Sequence, residues 1–449
     1  MPDHDSTPAA APPPVPARSR PTDPSDRFAS MDVLRGIAIL GILGMNILSF
    51  ALPPASYESP MARGAVAYNG EFSGLNYFTW VLQALFIDQK MMSTFAMLFG
   101  CGLMVMHSNA ERTGSRRTWI WYKRCAVLLA FGLIHAYGLW YGDVLTLYAC
   151  CGMLLWPFRR LPAGVLASLA VVMLVLGMAI NVLTGLEMHQ TMQRGDQARE
   201  LAARGVELTP SQQDDIDAAD ARLAQFEPEK ADTDAEVSLR RTASGYFHRN
   251  LDDVLLMHPE GLVLYAAPRS LGMMLIGMAL CRFGIPQGRA SHRTYRVLAA
   301  TGLIIGGAIT IAGMFSVTSH KFRFDWLFLV DWQYFYLGSV FVAVGLCGLT
   351  GLWGGTSQVL TRLRRWLAAT GRMAFTNYLT QTLIGVGIFS GLGFGCLGML
   401  QRWQLALVVL AIWALQVIWS VWWMARFSQG PLEWLWRRLV YGNASKSAD

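Results

Sequence analysis

Charge is what this 449-residue chain has least of: Asp, Glu, Lys and Arg make up 15% of it, against 53% hydrophobic residues. A soluble domain carries more charge than that, and the positive mean hydropathy points the same way. Other shortages narrow the chemistry. There is no phosphate-binding glycine loop, dinucleotide fingerprint, HExxH pair or GxSxG elbow. Seven cysteines (101, 125, 150, 151, 281, 347 and 396) have no metal-ligand spacing and lie in or beside apolar stretches, so they read as small buried hydrophobes and no metal is expected. No small-residue cleavage site follows the first apolar segment, which is therefore expected to stay in place as a signal anchor.

Apolar length is what the chain has in abundance. A membrane span needs about 20 apolar residues, and ten stretches approach or exceed that: 32–52, 76–106, 120–140, 143–157, 162–185, 262–283, 294–317, 333–354, 373–395 and 403–426. The second is too long and holds Asp88-Gln89-Lys90 in its middle, which suggests a short interfacial helix followed by a span from about Lys90 to His107. The fourth is short. Sixteen Trp and 14 Tyr suit the two bilayer interfaces. The expected fold is an all-α, polytopic transmembrane helix bundle of about ten spans.

Direction follows from where Lys and Arg collect. They cluster before the first span (Arg18, Arg20, Arg27) and between the second and third (Arg112, Arg116, Arg117, Lys123, Arg124). They cluster again at 159–160, 282–296 and 362–372, and after the tenth span, whereas the alternate loops hold few; Lys321 and Arg323 are the exception. Both termini are then cytoplasmic. The net charge of +7 conceals a segment, 187–260, with 16 acidic and 8 basic residues; the remainder carries +15. That basic remainder points to anionic lipid headgroups rather than nucleic acid. The chain divides into a disordered cytoplasmic tail (1–30), a first membrane half (31–186), an acidic extracytoplasmic loop (187–260), a second membrane half (261–428), and an interfacial helix with a C-terminal tail (429–449). Within the acidic loop, about 211–244 suits a solvated helix pair or a mobile stretch. The setting this implies is a bacterial inner membrane, crossed many times.

Polar groups inside apolar segments are expensive and tend to be kept for function. Asp32 and Arg35 are three apart, on one helix face, and either pair there or end the helix at the cytoplasmic interface. Asn46 lies about 16 Å deeper on the same stripe, as a helix–helix hydrogen-bonding group or part of a cavity wall. His135 is the one histidine well inside an apolar segment and a candidate proton carrier. Asp143 either caps the next helix or folds back toward His135. Lys90 is a partner for Asp88 or an anion-binding group in a cavity. Asn377 and Gln381, four apart, form a polar lining or packing glue.

Five pieces in order carry a resemblance: Asp32-Val33-Leu34-Arg35-Gly36 through Asn46; Ser93 through Gly102; His135 through Tyr148-Ala149; Gly371 through Tyr378; and Gly430-Pro431-Leu432-Glu433-Trp434-Leu435-Trp436-Arg437. Together, over about residues 30–442, they resemble the YeiB family of bacterial membrane proteins. More loosely, the first span is similar to that of membrane acyltransferases, which move an acyl group from cytoplasmic acyl-CoA to an acceptor. The sugar O-acyltransferases among these place a His where this chain has Asn46, and residues 47–90 contain none.

That similarity implies a transmembrane acyltransferase-like enzyme with acyl-CoA as donor and a small-molecule or glycan hydroxyl or amine as acceptor. Asp32, Arg35, Asn46, Lys90, Asn377 and Gln381 would bind substrate, and His135 with Asp143 would supply the base. The alternative is a transporter or exporter in which the same residues line a pathway. A homo-oligomer stays open under either reading.

Overall fold

The computed structural model describes residues 29–113, 118–258, 261, 266–353 and 358–442. Most of the expected tail over 1–30, the start of the expected span 262–283, and everything after residue 442 lie outside the described residues. Every regular element among the described residues is helical.

The first half runs α1 (Ala29–Ala51), the single turns α2 (Ala55–Glu58) and α3 (Val66–Asn69), α4 (Gly74–Phe86), α5 (Lys90–Thr113), α6 (Thr118–Gly138) and α7 (Leu145–Leu155), which ends in a 3-10 turn. Then come α8 (Ala163–Ala203), α9 (Pro210–Phe226), α10 (Lys230–Arg240) and α11 (Ala243–Leu256). The second half holds α12 (Ala267–Arg282), α13 (His292–Ser319), α14 (Phe324–Trp326) with a π-turn at Leu327–Asp331, α15 (Trp332–Leu352), α16 (Gln358–Arg372), α17 (Ala374–Phe389), α18 (Arg402–Met424) and α19 (Pro431–Tyr441).

Among the described residues, six helical segments are long and apolar enough to cross a membrane: Ser30–Ala51, Gly74–Ser108, Ala163–Ala203, His292–Ser319, Phe324–Leu352 and Arg402–Met424. They coincide with six of the ten expected spans. The other four stretches are helical over most of their described residues but fall short for visible reasons. α7 has 11 residues, while α12 and α17 have 16 each. α6 is longer but carries Lys123, Arg124 and His135.

Burial is inverted from that of a soluble bundle. α8, α13 and α18 expose Val171, Val175, Leu183, Ile304, Ile311, Phe315, Leu407, Leu410 and Ile418, the pattern of helices facing lipid. α1 is the central element, with most of its length buried.

Two glycine joints set the helix spacing. A Cβ on Gly36 of α1 would come within 2.1 Å of the Leu367 carbonyl of α16, and one on Gly371 within 1.9 Å of the Asp32 carbonyl. Gly100 of α5 and Gly277 of α12 stand in the same relation to the Met274 and Met97 carbonyls, at 1.9 Å each. Without side chains the backbones touch, which is how helices associate where apolar burial gives no preference.

The acidic segment is folded. α8 continues unbroken from the apolar stretch through Glu187 to Ala203, 41 residues in all. α9 starts at a Thr209/Gln212 capping box and packs on the far end of α8 through Met188, Met192 and Ala219. α11 ties the segment down: Asn250 Nδ2 donates to the Ala136 carbonyl at 2.9 Å and Tyr246 Oη to the Leu139 carbonyl at 2.7 Å. These are the carbonyls a helix end leaves unpaired. Arg240 joins α10 to α11, donating to Glu236 at 2.5 Å and Asp253 at 2.7 Å.

Candidate functional site: a cavity beside a broken helix

The break between α4 and α5 lies at Ile87-Asp88-Gln89. Gln89 adopts a left-handed backbone, φ 56°, which a side-chain-bearing residue takes only at a cost of about 1 kcal/mol. The turn is held from inside. The Lys90 ammonium, fully buried, donates to the carbonyls of Ala84 at 2.6 Å and Asp88 at 3.2 Å, satisfying groups at the end of α4. From the other side Arg269 of α12 donates to the Gln89 carbonyl at 3.0 Å, to Ser93 Oγ at 2.8 Å and to Ser339 Oγ at 2.9 Å. Its guanidinium lies 5.1 Å from the Tyr336 ring centroid.

Beside this turn is a cavity of about 950 Å³. Its lining includes the polar Asp88, Gln89, Ser93, Arg269, Tyr336 and Arg402 and the apolar Met45, Leu48, Trp80, Met92 and Met273. The cavity reaches Arg222, Gln225 and Phe226 of α9, so one end lies under the acidic segment. Glu187 and Arg222 pair at that end, 3.2 Å apart. Deeper in, three cations, Lys90, Arg269 and Arg402, stand within electrostatic reach of the single carboxylate of Asp88. Among the described residues none of the three is in an ion pair. Arg402, 3% exposed, donates to the Ser56 carbonyl, and among the described residues its Nε and the Tyr336 hydroxyl have no partner.

The expected site residues scatter over five places. Asp88 and Lys90 belong to the turn beside the cavity. Asp32 and Arg35 are paired at 2.9 Å, and Arg35, with Arg124 and Trp436, lines a separate pocket of about 170 Å³. Asn46 is half-buried and lines neither cavity. Asn377 and Gln381 are buried in an amide ladder between helices. Gln381 Nε2 donates to Gln416 Oε1 at 2.9 Å and the Ile39 carbonyl at 3.1 Å, and Asn377 Nδ2 to Ser420 Oγ at 3.0 Å.

His135 and Asp143 do meet, at 2.9 Å between Nδ1 and Oδ1. The turn after α6 doubles back, and Asp143 also accepts the Thr146 N–H at 2.7 Å, so it caps α7 as well. The other ring nitrogen, Nε2, lies 3.0 Å from Thr382 Oγ1. Carboxylate, imidazole and hydroxyl in that order make an activated-nucleophile arrangement. His135 is 1% exposed and Thr382 0%, and neither lines the large cavity.

Arg269, Arg402 and Thr382 are absent from the residues expected for a site. Arg269 carries the same signal as Lys90, a charge within an apolar segment. Glu433 is a further absence. Its carboxylate accepts the N–H groups of Phe375 at 2.8 Å and Thr376 at 3.1 Å, so α19 closes the start of α17.

Comparison with known proteins agrees with the motifs. The chain is 30% identical over 424 residues to "Uncharacterized protein YeiB" of Escherichia coli K12, covering 92% of this chain and 96% of that one. It is 28% identical over 430 residues to "Uncharacterized protein YxaH" of Bacillus subtilis, covering 94% and 96%. No solved structure matches. Residues 280–443 match the family model described as "Protein of unknown function (DUF418)". On sequence along nearly its whole length, the chain belongs to the YeiB family.

Proposed function

We propose that the protein is a transporter or exporter of a small molecule in the bacterial inner membrane, with the cavity beside the α4–α5 break as its substrate site. The observation that carries this reading is the broken helix itself. Irregular backbone at membrane depth is tolerated where it lines a cavity, and transporters place substrate sites at such interruptions. The reading takes both termini as cytoplasmic, the acidic segment as outside, and α6, α7, α12 and α17 as shorter members of a bundle of about ten crossings. The cavity's end under α9 is then the outer mouth.

Sided chemical labelling tests this. In a variant with the native cysteines replaced by serine, Met92→Cys puts a thiol on the cavity wall. A membrane-impermeant thiosulfonate should modify it from outside in intact cells, and from inside in inverted vesicles. No reaction from either face would overturn the reading.

Acyl transfer from cytoplasmic acyl-CoA to a hydroxyl or amine is the second reading, favoured by the Asp143–His135 hydrogen bond that would orient a base. The burial of both His135 and Thr382, away from the cavity lining, weighs against it. The test is acyl-CoA binding and hydrolysis by the purified protein: neither, in a folded sample, would remove it.

A further inference from the structure

The cavity lining combines two chemistries: the cations Arg269 and Arg402, and the apolar Met45, Leu48, Met92 and Met273. Among the described residues Asp88 is the carboxylate within electrostatic reach of both cations. Lys90, just behind the wall, adds a third positive charge while bonded only to carbonyls. Buried cations are ordinarily paired, because an unpaired charge away from water is costly. Here the half-buried Arg269 bonds to a carbonyl and two hydroxyls, and the buried Arg402 to a carbonyl. Two donors, Arg402 Nε and the Tyr336 hydroxyl, are buried with nothing to bond among the described residues. Unpaired donors and positive charge lining one cavity are the two requirements for holding an oxyanion.

Resting on the transporter reading, we infer that the ligand is an anionic amphiphile: one carboxylate or phosphate head held at Arg269 and Arg402 with the Tyr336 hydroxyl, and an apolar body of modest length against the methionines of the lining. A free oxyanion would leave most of that apolar lining without a partner. A neutral amphiphile would leave the cations without one. Methionine side chains suit apolar bodies of varied shape.

The test is equilibrium binding of radiolabelled decyl phosphate to the full chain in phosphatidylcholine nanodiscs, with empty discs subtracted. Inorganic phosphate, decanol and decyltrimethylammonium serve as competitors. Decyl phosphate should bind saturably, and decanoate should compete while the other three do not. Arg269→Gln and Arg402→Gln should each weaken binding about tenfold or more, and Arg269→Lys should weaken it less than Arg269→Gln. Unfolding midpoints show whether each variant is folded. Competition by decanol as strong as by decanoate would overturn the anionic head and leave the cavity as a binding site. Competition by inorganic phosphate alone would overturn the apolar body. No saturable binding of any of these would overturn both this inference and the reading it rests on.

Discussion

Lys90 engages backbone rather than a carboxylate, and that decides what its loss does. Lys90→Met would leave the Ala84 and Asp88 carbonyls unpaired in a buried place, at about 3 kcal/mol for the two. The expected outcome is a lower unfolding midpoint in detergent, with faster amide exchange over 84–93. Its expense inside an apolar segment was legible in the sequence; its partners were not, because carbonyls leave no mark on a sequence. Asn377 and Gln381 show the converse. Their shared face was legible, but whether it met a cavity or the amides of α18 depended on packing. For His135→Ala, the stranded, buried Asp143 carboxylate should cost about 3 kcal/mol. Denaturation and labelling at Met92→Cys, measured on the same variant, separate a structural role from one in transport.

At the scale of elements, the α4–α5 break was legible because Asp88-Gln89-Lys90 interrupts the hydropathy. The length of α8 was not: hydropathy reports the solvent around a helix, and it changes near residue 187 while the backbone hydrogen bonding runs on. The clasp of α19 on α17 was hidden for another reason, since Glu433 and Thr376 are far apart in sequence. Glu433→Ala should unpair two N–H groups at the start of α17 and cost about 2 kcal/mol, read as faster exchange at Phe375 and Thr376.

In the acidic segment, burial alone would raise the Glu236 carboxyl. The Arg249 hydrogen bond and the Arg240 charge outweigh it and hold Glu236 below its ordinary 4.5. A depressed carboxylate stabilises the fold above its unfolded value, and that contribution is lost as pH falls through the folded value. Asp253 is raised by burial despite Arg240, so it takes its proton earlier and acts in the opposite sense. With Asp253→Asn as background, amide protection of α10 and α11 should therefore fall as pH drops below 4.5 and hold steady above it.

Over the whole molecule, the bundle and its membrane character could be read from apolar length, and six of the stretches are helices able to cross. The cavity could not, because its lining is assembled from helices spread along the chain, from Met45 of α1 through Arg222 of α9 to Arg402 of α18. Alkaline phosphatase fused after Asp220 should be active and a fluorescent protein at the C-terminus should fluoresce, since the account puts the acidic segment outside and both termini inside. The reverse pattern would invert the cavity's mouth. The most direct measurement is a cryo-electron microscopy map of the full chain in nanodiscs equilibrated with bromine-labelled decyl phosphate. The account predicts head-group density against Arg269 and Arg402, with the chain along Met92 and Met273. Ligand density confined to the lipid-facing surface, with the cavity filled only by water, would contradict it.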